Sequence, residues 1–133
     1  VTVERDEAGR FVATFPDVPE SLTDGADEAE ALTEARDALR AALSGYVHSR
    51  RPLPRPSRCT GPVVALPPLV AAKLSLYQAM RAQGVTNVAL AERLGVTEAV
   101  VRRLVDPDHA SHMPKIEAAL EALGVGVVVE DAA

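Results

Sequence analysis

Apolar and polar positions alternate at the start of the chain. Val1 and Val3 are set against Thr2 and Glu4, and Phe11, Ala13 and Phe15 against Val12 and Thr14. Asp6-Glu7-Ala8-Gly9 supplies turn chemistry between the two runs, so the pattern predicts a hairpin with one buried face. Pro16 to Pro19 ends the ladder, because proline lacks the N–H that a strand donates. Ser21 to Ala26 predicts a short third strand, with Gly25 just before a helix start. Asp27 with Glu30 resembles a capping box, and Leu32, Ala35, Leu39, Leu43, Tyr46 and Val47 then recur at helical spacing as far as His48. The stretch 48–62 holds four Arg and four Pro and predicts an extended connector. Val63 to Leu66 predicts a short buried strand closed by Pro67-Pro68. Leu69, Leu76, Tyr77 and Met80 then form a helical stripe that Gly84 ends.

The segment Asn87 to Leu104 carries the most specific pattern in the chain. Ala91 is small enough for two helices to approach closely, and Gly95 suits a tight turn. Leu90, Leu94, Val96, Val101 and Leu104 fall where the two helices would share a core. Thr97 is placed to cap the second helix, which presents Glu98, Arg102 and Arg103 outward. This is the layout of a helix-turn-helix, whose second helix reads the major groove. Thr97 and Glu98 would lie nearest the base edges, with Arg102 and Arg103 contacting phosphate or guanine. Ser111 and His112, in the loop that follows, would add phosphate contacts. Pro114 opens a last helix carrying Ile116, Ala119, Leu120 and Leu123 on one face, with Gly124 after it.

Val125, Val127 and Val129 then predict a terminal strand. A lone strand leaves its peptide groups unpaired, and the helical half offers no neighbour. Pairing with the same strand of a second chain resolves this and gives a two-fold dimer with two reading helices, able to associate further into a higher oligomer.

Composition sharpens the picture. The chain has 133 residues, 47% of them hydrophobic but only 3% aromatic, so its core is built from Ala, Val and Leu. Its net charge of −5 argues against a protein that coats nucleic acid. That charge is unevenly spread: residues 1–45 hold four basic and eleven acidic side chains, and the remainder ten basic and eight acidic. An acidic front suits a basic protein partner, and a mildly basic back suits DNA. Cys59 is the only cysteine, which excludes an intrachain disulfide and a thiolate zinc site. No apolar run approaches the roughly 20 residues of a membrane span and no signal-peptide pattern opens the chain, which predicts a cytoplasmic protein without a membrane partner.

Catalytic chemistry finds no support in the residues. A strand-rich front followed by a helix and a returning strand is reminiscent of part of a ribonuclease-H-like fold, whose two-metal chemistry needs carboxylates clustered on adjoining strands. Val63 to Leu66 has no carboxylate, Glu4 is alone on its strand, and Asp17 sits in a turn. His48, His109 and His112 lack the spacing of a zinc site. Ser21, Ser44 and Cys59 have no general base nearby in sequence. The expectation is therefore a binding protein with no enzymatic activity, metal or cofactor.

Taken together, these motifs resemble a HicB-type antitoxin of the helix-turn-helix class, over almost the whole length. The resemblance rests on Phe11 to Asp17, on Pro67 to Tyr77 with Ala79-Met80-Arg81, on Leu90 to Gly95, and on Arg102 to His109. The turn departs from the family pattern at Glu20-Ser21, where members often carry a small pair such as Gly-Cys. The resemblance implies an α+β chain in two domains. Residues 1–66 would form a partial ribonuclease-H-like ββ(β)αβ domain without nuclease activity, and residues 67–133 an all-α helix-turn-helix domain with a terminal strand. It further implies a bacterial toxin–antitoxin pair: the front domain would cover a small, basic, mRNA-cleaving HicA-like toxin, and the back domain would repress the operon by binding double-stranded operator DNA. Candidate toxin contacts are the Phe15-Pro16-Asp17 turn and the acidic residues Asp24, Asp27 and Glu28. The competing reading keeps the DNA-binding half and makes the front domain a small-molecule sensor, against which the shortage of aromatic residues argues.

Overall fold

The computed structural model describes residues 1–57 and 61–131; Cys59 lies outside them. The architecture is α+β, with strands β1 (Thr2–Arg5), β2 (Phe11–Thr14) and β3 (Leu22–Gly25) followed by helices α1 (Glu28–His48), α2 (Pro68–Gln83), α3 (Asn87–Leu94), α4 (Glu98–Val105) and α5 (Met113–Ala122). The chain divides into two compact units, Val1–Gly45 with Leu53–Leu66, and Tyr46–Pro52 with Pro67–Glu130. Among the described residues no helix is long and apolar enough to cross a membrane.

In the first unit the strands form an antiparallel sheet in the order β1-β2-β3. Thr2 pairs with Thr14 and Arg5 with Phe11, and on the other side Phe11 pairs with Gly25 and Thr14 with Leu22. Cross-strand partners share a face, so Val3, Phe11 and Ala13 lie on one side and Glu4, Val12, Leu22 and Asp24 on the other. The inner side packs on α1: Ala13, Ala31 and Ala35 are fully buried, with Val1, Val3, Phe11, Phe15 and Val64 around them. Small residues allow a close fit here. A Cβ on Gly25 would stand 2.4 Å from the backbone nitrogen of Ala31, so the start of α1 sits directly on the end of β3. Asp27 Oδ1 accepts the Glu30 N–H at 2.8 Å, the helix-start bond expected from sequence.

Val63 to Leu66 is not a strand. It pairs with nothing in the sheet and Val63 is 69% exposed, while Val64 packs against the core. Flanking prolines explain this, since Pro62 and Pro67 have no N–H with which to start or extend a ladder. The connector ahead of it is nevertheless tied down, because both the backbone N–H and the hydroxyl of Ser57 donate to Asp17 Oδ2, at 2.8 and 2.9 Å.

The second unit is a helical cluster in which α3 packs on α4 and α5, and α2 on α4 and α5. Its interior contains Leu76, Leu90, Val101, Ile116 and Ala119, each fully buried. Gly84 and Gly95 end their helices with φ of 65° and 68°, a conformation that costs glycine little. After α5 the tail Val125 to Glu130 makes no strand pairing among the described residues, and Val128 and Val129 are 85% and 77% exposed.

Candidate functional site

The turn between α3 and α4 is Gly95-Val96-Thr97. Thr86 caps α3, its hydroxyl accepting the Ala89 N–H at 3.1 Å. Gly95 closes α3, and its neighbour Val96 donates its N–H to the Ala91 carbonyl. Thr97 stands at the start of α4 in an extended conformation, but its side chain makes no capping bond, contrary to the sequence expectation. Val96 also departs from its expected core position and is 40% exposed, because the turn carries it to the surface. Leu94 is half-buried.

Helix α4 is sharply two-sided. Val101, Leu104 and Val105 are buried, and Arg102 and Arg103 are exposed. Glu98 lies 3.7 Å from Arg102 one turn later and accepts a long bond from Asn87 on α3. The Arg102 side chain is still 67% exposed, so its charge remains available at the surface.

Lys73, on α2, locks the far end of α4. It is fully buried, and its ammonium donates to the Arg103 carbonyl at 2.8 Å, the Asp106 carbonyl at 3.0 Å and the Ser111 hydroxyl at 2.8 Å. Burial pushes this ammonium below the ordinary lysine range, and the charge of Asp106 opposes that shift. Ser111 is thus engaged inside the unit, with the His109 ring on its other side at 3.1 Å. His112 is exposed just before α5.

Asp106 also faces His48, at the end of α1, at 3.0 Å. Its burial alone would raise the carboxyl pKa, but the Asp108 N–H, His48 and Lys73 together hold it below the ordinary range. His48, Asp106 and Asp108 bring ligand-type atoms within 4.8 Å of one another, a grouping that histidine spacing did not suggest. Both carboxylates lie against the imidazole, at 3.0 and 3.8 Å, so the cluster works as a clasp on the loop after α4.

A groove of about 740 Å³ lies in the second unit, lined in part by Arg50, Tyr77, Arg81, Asn87, Glu98 and Arg102. Neither Arg50 nor Arg81 was expected at a site from sequence: Arg50 fell in the predicted connector, and Arg81 entered only through the Ala79-Met80-Arg81 resemblance.

In the first unit the candidate toxin residues separate into two groups. Phe15 packs on the core. Asp17 holds Ser57, whose backbone N–H and then hydroxyl lower its carboxyl pKa, and Asp27 caps α1. Pro16, Asp24 and Glu28 are exposed, with Asp24 ion-paired to Arg10. On the outer side of the sheet Leu22 is 64% exposed, opposite Thr14 and on the same face as Asp24, a surface that residue-by-residue reading missed.

Residues 1–75 match the model of a family described as the HicB-like antitoxin of the bacterial toxin–antitoxin system. Among curated proteins, Antitoxin HicB 2 of Photorhabdus laumondii is 39% identical over 93% of this chain and 88% of its own length. Antitoxin HicB of Pseudomonas fluorescens is 38% identical over 90% and 84%, and that of Escherichia coli 33% identical over 93% and 91%. Family match and near full-length similarity agree with the motifs and the fold: the chain belongs to the HicB-like antitoxins of bacterial toxin–antitoxin systems, regulatory binding proteins rather than enzymes.

Proposed function

We propose that this antitoxin works through two separate surfaces. Its first unit covers a small, basic, HicA-like mRNA-cleaving toxin, and its second binds operator DNA and represses its own operon. The observation that carries the DNA half is the two-sided α4, whose buried edge packs on α3 and whose opposite edge displays Arg102 and Arg103 beside Thr97 and Glu98. Arg102 and Arg103 supply affinity through phosphate or guanine contacts. Thr97 and Glu98 lie nearest the bases, and exposed His112 adds a phosphate contact; Ser111 acts by positioning its loop.

The apolar tail Val125, Val127 and Val129, exposed at Val127 and Val129, pairs with its counterpart in a second copy, so the operator is read as two half-sites one turn or a multiple apart, about 34–36 Å per turn. On the toxin side the contact groups are Pro16, Asp24 and Glu28 with the neighbouring Leu22. Phe15, Asp17 and Asp27 serve by holding the turn and helix start in place. The acidic surplus steers encounter with a cationic RNA-binding surface.

Gel-shift measurements at two salt concentrations test the DNA half. Arg102→Ala and Arg103→Ala each weaken operator binding; a bidentate guanine contact contributes about 1–3 kcal/mol of discrimination, whereas a phosphate contact weakens all sequences alike. Full affinity in both variants would place the DNA surface elsewhere.

A further inference from the structure

Arg50 has φ of 56°, the only positive value at a residue other than glycine among the described residues. It follows α1 in the position where a helix most often ends on glycine. Its N–H donates to the Val47 carbonyl at 3.0 Å and the Arg51 N–H to the Tyr46 carbonyl at 2.9 Å, a Schellman pattern. Two side chains of α2 hold this conformation: Arg81 donates to the Arg50 carbonyl at 2.7 Å and the Tyr77 hydroxyl to the Arg51 carbonyl at 2.6 Å. Glycine would satisfy the same backbone without the steric cost that a Cβ incurs there. A side chain kept at a strained position is a reason to look for a role for that side chain.

The neighbouring arginines show what is particular to Arg50. Arg51 stacks on the Tyr46 ring at 4.1 Å, and Arg81 lies over Tyr77 at 5.8 Å while holding the Arg50 carbonyl. Arg50 is exposed, forms no ion pair among the described residues, and lines the groove that also contains Arg81 and Arg102. The carboxylates of that groove are already matched, Glu98 by Arg102 and Asn87, and Asp106 by His48. The remaining charge is cationic, and it is continuous through Arg102 with the exposed edge of α4.

We propose that Arg50 is a DNA-backbone contact, taking an operator phosphate that flanks the bases read by α4. This rests on the operator-binding reading above. The polyanionic DNA strand is the occupant that fits, because the first helix of such a pair crosses the backbone and α3 forms one wall of the groove.

Arg50→Gly separates this role from a structural one, since fold stability and binding then move in opposite directions. The full chain is titrated onto a duplex of the region upstream of its own gene at several salt concentrations, alongside thermal unfolding. The variant is expected to melt at or above the parent temperature. It should bind about three- to tenfold more weakly at low salt, and the slope of log K against log salt should shrink by about 0.9, the loss of one phosphate contact. Arg50→Lys keeps the charge and should keep the slope. Unchanged affinity and slope in Arg50→Gly would overturn the proposal while leaving operator binding intact, as would a lowered melting temperature with unaltered slope. Loss of toxin inhibition with unaltered operator binding would reassign the residue and overturn it too. A parent protein that does not bind the duplex would overturn the operator reading itself.

Discussion

Replacing Lys73 with methionine tests the interior of the second unit. The substitution keeps a long, flexible, apolar stem and removes the ammonium that donates to the Arg103 and Asp106 carbonyls and the Ser111 hydroxyl. Ser111 retains the His109 ring as a partner and the Asp106 carbonyl retains the His109 N–H at 3.2 Å, so the cost falls chiefly on the Arg103 carbonyl, at about 1–3 kcal/mol for an acceptor left unsatisfied. Methionine also avoids the penalty of burying a charge, which offsets part of that loss, so the net destabilisation is about 1–2 kcal/mol. Against a total stability of about 5–15 kcal/mol this is a large share. At roughly 4–8 °C per kcal/mol for a small unit, the melting temperature should fall by about 4–16 °C. Thermal unfolding followed by circular dichroism measures it, with Lys115→Met, an exposed lysine on α5, as the control expected to change stability by less than about 0.5 kcal/mol. A Lys73→Met protein melting with the parent would mean that the end of α4 is held by something other than this ammonium.

Three further outcomes follow from the same structure. Gly25→Ala puts a Cβ against the Ala31 backbone and should destabilise by about 1–3 kcal/mol, read as a lower urea midpoint; an unchanged midpoint would show that α1 is not seated on β3. Asp17 has a lowered pKa in the folded protein, so its stabilising grip on Ser57 is fully present above the ordinary value of 3.8 and is lost as pH falls through the folded value below it. The protection of the Ser57 N–H, the slowing of its exchange relative to a free amide at the same pH, should therefore fall in strong acid and be low at every pH in Asp17→Ala; equal protection in parent and variant would contradict the assigned bond. Deleting Val125 to Ala133 should halve the mass seen by light scattering and weaken operator binding, and an unaltered mass would refute pairing through that tail.

What the sequence made legible was decided by neighbours close along the chain. The alternation of Phe11, Ala13 and Phe15 gave the buried face of the hairpin, and Asp27 with Glu30 gave the start of α1, because both depend on residues two or three apart. The apolar run Val63 to Leu66 misled, since four such residues look the same in a strand and in a loop that buries one of them. Lys73 was invisible because its partners lie 30 to 38 residues away, and a lysine on a helix is ordinarily solvated. Arg50 carried no glycine to mark the left-handed turn, and the clasp of His48 on Asp106 closes over 58 residues. At the candidate DNA surface the exposure of Arg102 and Arg103 was legible from helical period alone, whereas the groove beside them needed residues of α1, α2, α3 and α4 folded together.

The central claim is that the first unit neutralises a toxin independently of the DNA-reading helix. The most direct measurement is RNA cleavage by the purified product of the neighbouring gene, titrated at low salt with this protein carrying both Arg102→Ala and Arg103→Ala. Inhibition should be complete near stoichiometric amounts, although the variant no longer shifts operator DNA. Undiminished cleavage at a molar excess of both variant and parent would contradict the account.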